Sequence, residues 1–108
     1  ASYLNVTNPI SNTGVINLSE GILTSSIVDN QTTKTGVTNF VSGNITNNAI
    51  ITQNIVTNDS ILQNNAKISA TTIYNTGVLT SVADNLDAEI TNTNIINLTG
   101  GTVKGNKL

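Results

Sequence analysis

Thr13-Gly14-Val15-Ile16-Asn17-Leu18-Ser19-Glu20-Gly21-Ile22-Leu23-Thr24 sets a pattern that returns along the chain. Thr35-Gly36-Val37-Thr38-Asn39-Phe40 opens the same way, as does Thr76-Gly77-Val78-Leu79. Thr93-Asn94-Ile95-Ile96-Asn97-Leu98-Thr99-Gly100-Gly101-Thr102-Val103 is the nearest copy, and Asn54-Ile55-Val56-Thr57-Asn58 is an irregular one. The starts at 13, 35, about 54, 76 and 93 are spaced by roughly 20 residues, a period that signals a solenoid.

Apolar residues align in columns when the copies are superposed. The sequence suggests Val15, Val37, Val56, Val78 and Ile95 as one column, and Leu18, Phe40, Ile61, Val82 and Leu98 as a second. Ile22, Ile45, Ala66, Leu86 and Val103 make a third, and Ile27, Ile50, Ile73 and Ile90 a fourth. Asn, Thr, Ser and Gly interrupt these columns every few positions and disfavour helix. Short strands joined by tight turns fit instead, with alternate side chains inward. Gly14, Gly36, Gly77, Gly100 and Gly101 fall where corners with positive φ are expected, and Asn can occupy such corners as well.

Stacked coils place each strand parallel to its copy, with like over like: Asn on Asn, Thr on Thr and Ile on Ile. Asn and Thr make up about a third of the chain, and charged residues only 9%. The stacking accounts for both, because a charge repeated every coil would face its own sign. The expected fold is an all-β parallel β-helix of four to five coils, each of roughly 20 residues. Residues 1–12 form a partial first coil or cap, with Pro9 at an edge or corner, and residues 13–108 carry the repeats. A quadrilateral helix of five-residue units is the near alternative, suggested by Ile45, Ile50 and Ile55, but the chain lacks a regular Ala-(Asp/Asn)-Leu unit.

Val15-Ile16-Asn17-Leu18-Ser19-Glu20-Gly21, Ile95 to Val103 and Asn75-Thr76-Gly77-Val78-Leu79-Thr80 resemble the N-x-G-x-I-N-L-x-G-G-x-L units of bacterial autotransporter passengers and filamentous-haemagglutinin-type surface adhesins. The resemblance covers most of the chain after residue 12, and residues 54–75 depart from the unit. It implies a right-handed β-helix, a secreted or cell-surface setting, and a role as an adhesive rod or stalk. It transfers no catalytic residues.

Composition narrows the function classes. The 108 residues contain no Cys and no His, and the net charge is −2. That leaves no thiol chemistry, no basic footprint for nucleic acid and little for acid–base work. No apolar run reaches the ~18 residues of a membrane span. Ala1-Ser2-Tyr3 shows no leader signature, which suits a mature product or an excised piece. Polysaccharide lyases and hydrolases share the β-helix, but they need paired carboxylates or basic residues, and the six acids here are scattered. No enzyme, catalytic site or cofactor is expected. Asp84, Asp87 and Glu89 are the sharpest acidic group. Asp87 and Glu89 share a strand face in this reading, and the group reads as a solvated patch before a Ca²⁺ site.

Thr13, Thr33, Thr52, Thr72 and Thr91 recur at nearly even intervals and suggest a threonine face that could order water or ice. The sequons at Asn5, Asn17, Asn30, Asn44, Asn58 and Asn97 arise from composition and carry no glycan function. Asp29 to Lys34 and Asn64 to Thr72 are the candidate binding loops. The expected partners are a host or neighbouring-cell receptor or a glycan. Uncapped coils also allow homo-oligomers by end-to-end stacking into a filament. Val103 to Leu108 shows two lysines and no capping helix.

Overall fold

Ten short strands wind as a parallel solenoid of about five turns in the computed structural model, which describes residues 9–30 and 32–101. They are β1 (Ile10–Ser11), β2 (Val15–Leu23), β3 (Ile27–Val28), β4 (Val37–Asn47), β5 (Ile51–Asn58), β6 (Ile61–Asn64), β7 (Ile68–Asn75), β8 (Val78–Val82), β9 (Leu86–Asn92) and β10 (Ile95–Thr99). A single 3₁₀ turn, Ala83–Asn85, is the helical segment among the described residues. Every pairing is parallel. The expectations for residues 1–8 and for Val103 to Leu108 lie outside the described residues.

Each coil crosses three ladders. The first stacks Ile10, Ile27, Ile51, Ile68 and Leu86. The second stacks Val15, Val37, Ile55, Thr72 and Glu89 at its outer leading edge, and Ile16, Thr38, Val56, Ile73 and Ile90 one residue further on, facing inward. The third stacks Ile45, Leu62, Leu79 and Ile96 at equal steps along the chain. Ile27, Ile51, Ile68, Val56, Ile73, Leu62, Leu79 and Leu86 are at most 1% exposed. Fully burying such a side chain contributes roughly 1.5–3 kcal/mol. β-Branched residues suit these positions because they pack on a pleated surface.

The dominant coil is 17 residues long, the separation of the side chains that bond from one coil to the next. Longer steps come from insertions. Ten positions separate Ile27 from Val37, whereas four separate Ile51 from Ile55 and Ile68 from Thr72, so the chain carries an added loop at 29–35. Two irregularities in β4, one on each side of Ser42, shift the β2–β4 register between Leu18 and Ser19 and again between Ser19 and Gly21. This corrects the sequence-derived columns. Val15 and Val37 stack on Ile55 in the second ladder, while Val78 and Ile95 stack on Ile61 in the third. The lengthened early coils made the two ladders look like one. The five-residue alternative fails as well: Ile45 points in, Ile50 is 55% exposed and the coil has three ladders. Residues 54–75, which depart from the expected unit, lie in coils that keep the regular step.

Buried asparagines hold two of the corners. Between the second and third ladders, Asn58 Nδ2 donates to Asn75 Oδ1 and Asn75 Nδ2 donates to Asn92 Oδ1, both at 2.8 Å. Between the third and first ladders, Asn47 Nδ2 donates to Asn64 Oδ1 at 2.8 Å, and Asn64 Nδ2 to Ser81 Oγ at 3.1 Å. Each amide also grips its own corner. Nδ2 of Asn47, Asn58, Asn64, Asn75 and Asn92 donates to the carbonyl two residues on. The asparagines thus cap the turns by hydrogen bonding, not by taking positive φ; Glu20 is the described non-glycine residue with positive φ. At the third corner fully buried Gln53 plays a similar part. Its Oε1 accepts from Asn12 Nδ2 at 2.6 Å and Thr38 Oγ1 at 3.0 Å, and its Nε2 donates to the carbonyls of Asn12 and Thr52. Among the described residues no buried side-chain nitrogen or oxygen lacks a partner.

Gly100 and Gly101 take the positive φ expected of them, but Gly36 and Gly77 are not among the positive-φ glycines. They are required for space. A Cβ on Gly77 would lie 2.3 Å from the Ser60 carbonyl oxygen.

Asn64→Ala removes both bonds that tie Asn47 and Ser81 to the stack, so it costs about 3 kcal/mol, whereas Asn65→Ala, on the exposed side, costs under about 0.5 kcal/mol. Urea midpoints measure both, and equal shifts would contradict the buried stack. Gly77→Ala forces backbone apart and lowers stability by about 2 kcal/mol or more. Gly14→Ala, whose Cβ meets nothing nearer than 3.9 Å, is neutral or mildly stabilising in thermal melts.

Candidate functional site

The solenoid leaves three outward faces and their corners as the places where chemistry could occur. On the second ladder the outward column is Asn17, Asn39, Thr57, Tyr74 and Thr91. Its lower rungs bond to each other: Asn39 Nδ2 donates to Asn17 Oδ1 at 2.9 Å, and Thr57 Oγ1 to Asn39 Oδ1 at 2.6 Å. On the third ladder the outward columns are Asn44, Ile61, Val78 and Ile95, and Thr46, Gln63, Thr80 and Asn97.

The acidic group does not converge. Asp87 pairs in register with Ser69 on the first ladder, and Glu89 with Thr72 on the second, with a register shift between them. They do not share a strand face as the alternation suggested, because β9 turns the corner between them. Asp87 lies 3.9 Å from Lys67 Nζ, a half-exposed pair that contributes little. Asp84 sits apart, beneath Gly101. Among the described residues no three His, Cys, Asp or Glu side chains gather as a metal site.

The threonines do not form one column either. Thr52 lies on the first ladder and is buried, Thr72 and Thr91 occupy different columns of the second, and Thr33 lies in the inserted loop. Their spacing is longer than the regular coil, so each falls on a different side. Of the described sequons, Asn58 is fully buried in its stack and inaccessible, while Asn17, Asn30, Asn44 and Asn97 are exposed.

Of the two candidate loops, 29–35 is a true insertion, whereas 64–72 runs into β7 within a regular coil. Asp29 organises the insertion. Its carboxylate accepts from the N–H of Gly36 at 2.5 Å, Asn30 at 2.7 Å and Thr35 at 2.9 Å. Asn30 Oδ1 accepts from the N–H groups of Thr32 and Thr33. The Gly36 N–H is the main cause of a lowered Asp29 pKa; the Asn30 and Thr35 bonds and the Lys34 charge act the same way, against desolvation.

A shallow groove of about 380 Å³ runs along the corner between the second and third ladders. Asn44, Ile61 and Val78 form one wall, and Asp59, Thr76 and Asn94 another. Thr76 Oγ1 donates to Asp59 Oδ1, and Asn94 Nδ2 to the Thr76 carbonyl at 3.2 Å. The groove offers one carboxylate, hydroxyls and amides, spaced by the coil rise. Sequence reasoning missed the groove; it expected asparagine on asparagine, which the structure shows, but not which asparagines stack. The signal was present: Asn58, Asn75 and Asn92 are evenly spaced at the coil period, and Asn47-Asn48-Ala49 returns one coil later as Asn64-Asn65-Ala66.

No family model, curated protein or solved structure matches the chain. The functional reading rests on geometry. No helix among the described residues is long and apolar enough to cross a membrane.

A depressed folded pKa means that ionised Asp29 stabilises the loop above the ordinary aspartate value, and that this is lost as pH falls through the lower folded value. A carbon-detected NMR titration should give Asp29 a midpoint below 3.8, with the Gly36 amide shifting in step. A midpoint at or above that value would remove Asp29 as the loop's organiser.

Proposed function

We propose that the chain is a segment of a non-catalytic rod or stalk in a bacterial secreted or cell-surface protein, with adhesive outward faces. The observation that supports this reading most is the stack itself. Three successive equal steps, from Ile45 through Leu62 and Leu79 to Ile96, repeat one cross-section without interruption. Buried amides bond from coil to coil and so tie the turns together along the solenoid axis. The outward columns give amides, hydroxyls and aliphatic groups to a receptor or glycan. The groove's carboxylate is already engaged by Thr76, which suits binding better than turnover.

A self-assembling filament subunit is the second reading. It would extend between copies the same parallel pairing that joins β2 to β4 and β8 to β10. The water- or ice-ordering reading draws no support from the register, because its threonines fall in different columns.

The rod reading is tested by placing the chain between a cell-surface anchor and a fluorescent reporter. Each added copy of the coil from Ile45 to Ile61 should raise the reporter by about 4.8 Å, one strand spacing. A height that does not grow with added coils, or release of sugars from a polysaccharide panel by the chain, would overturn it.

A further inference from the structure

The groove between the second and third ladders has a local cause that the coil period does not supply. Ser60, Gly77 and Asn94 hold the same corner position in successive coils, each with its carbonyl gripped by the stacked asparagine two residues before it. Ser60 is turned inward, 3% exposed, and its Oγ donates to Asn58 Oδ1 at 2.5 Å. Gly77 has no side chain, and none fits, because its backbone presses on the Ser60 carbonyl. Two successive rungs therefore send nothing outward, and the corner is notched there by about 380 Å³. Asn94, on the next rung, is exposed and stands at one end.

The notch has two unlike walls. On one side Ile61 pairs in register with Val78, two aliphatic side chains one coil apart. On the other, Thr76 Oγ1 donates to Asp59 Oδ1 across the same coil step. Thr76 engages one carboxylate oxygen, and a carboxylate has a second that can accept. At the end, Asn94 Nδ2 donates to the Thr76 carbonyl at 3.2 Å, and the amide carries an acceptor oxygen as well. We infer that this notch binds a neutral oligosaccharide. A sugar ring has an apolar C–H face and a rim of hydroxyls that both donate and accept. The aliphatic wall suits the first, and the carboxylate, hydroxyl and amide suit the second.

Other ligand classes fit less well. Among the described residues none that line the notch is basic, so a phosphate or nucleic acid finds no counter-charge. Glu20 lies against Gly43, which lines the notch with Asp59, so an acidic sugar meets its own sign. A peptide strand needs open main-chain groups, but here the N–H of Thr76 donates to the Asn58 carbonyl, that of Val78 to Ser60 and that of Ile95 to Gly77. A purely apolar ligand would bury Asp59 and Thr76 unpaired by water. The notch is shallow and covers one side of a ligand, so binding is weak, with Kd on the order of 1 mM. The inference deepens the adhesive part of the rod reading and rests on it.

Amide NMR titration of the ¹⁵N-labelled chain tests this, with maltohexaose, cellohexaose, mannohexaose and N-acetylchitohexaose each added to on the order of 10 mM, enough for a weak site. At least one should shift the amides of Thr76, Gly77 and Asn94 together and saturably. Trigalacturonate should bind about tenfold more weakly or not at all. Asp59→Asn should weaken the neutral sugar about tenfold, the usual worth of a hydrogen bond to a charged group. Ile61→Ser, at a side chain 56% exposed, should weaken it several-fold, while Ile50→Ser, equally exposed on another corner, leaves it unchanged. No shift with any of the four sugars overturns the inference. So does equal or tighter binding of trigalacturonate, or a shift centred on exposed Tyr74 of the second ladder. Should a variant misfold, the shift map of the unaltered chain decides alone. Reporter height in the stalk experiment does not depend on sugar, so a rod that binds none of the panel overturns this inference only, and a sugar-binding chain that adds no height overturns the rod only.

Discussion

In-register stacking of parallel coils is the constraint on which the rest of the molecule depends. A buried side-chain amide is costly unless its hydrogen bonds are made. At the corners of this solenoid they are made by repetition. Asn75 accepts from Asn58 below, donates to Asn92 above, and holds the Gly77 carbonyl of its own turn. Because each member supplies what the next requires, the stack extends without a new solution at each coil. The aliphatic columns obey the same logic, with Ile51 on Ile27 and Ile68 on Ile51.

The stack also governs what the surface can be. Any outward side chain sits about 4.8 Å above its counterpart one coil below. Charges are then excluded from most columns, and the few acids present lie at corners, at the inserted loop or beside Lys67. What remains outside is uncharged: amides, hydroxyls and aliphatic ridges. Such faces suit repeated, shallow contacts with extended surfaces more than the enclosed pockets of enzymes. The asparagine stack does not run the whole length. Leu18 and Phe40 occupy the corner position that Asn58, Asn75 and Asn92 hold later, so the early coils are closed there by packing and the rest by hydrogen bonds.

Part of this was legible in the residues. Val15, Val37 and the asparagine-rich copies indicate a parallel solenoid, because β-branched residues separated by Asn and Gly cannot sustain a helix. The low charge and the Asn and Thr excess both follow from stacking. The coil length was not legible from the clearest copies. Thr13 and Thr35 lie more than one regular coil apart because the Asp29 loop lengthens this part of the chain, and this insertion hid the shorter step. Superposing copies by their Thr-Gly openings therefore merged two ladders, placing Val78 with Val37 although it stacks on Ile61. The acidic triplet and the threonine face failed for the same cause: an error in period moves a residue to another side of the prism.

The sequence by itself determined the class of fold, the absence of helical periodicity, and the pairing of like with like, since these depend on local propensity and on composition. The tertiary structure alone decided which copy lies over which, and which asparagines are buried and bonded and which face solvent. The physical reason is that Asn64 and Asn65 are chemically identical. They are told apart by the corner that turns one amide inward to Asn47 and Ser81 and leaves the other at the surface.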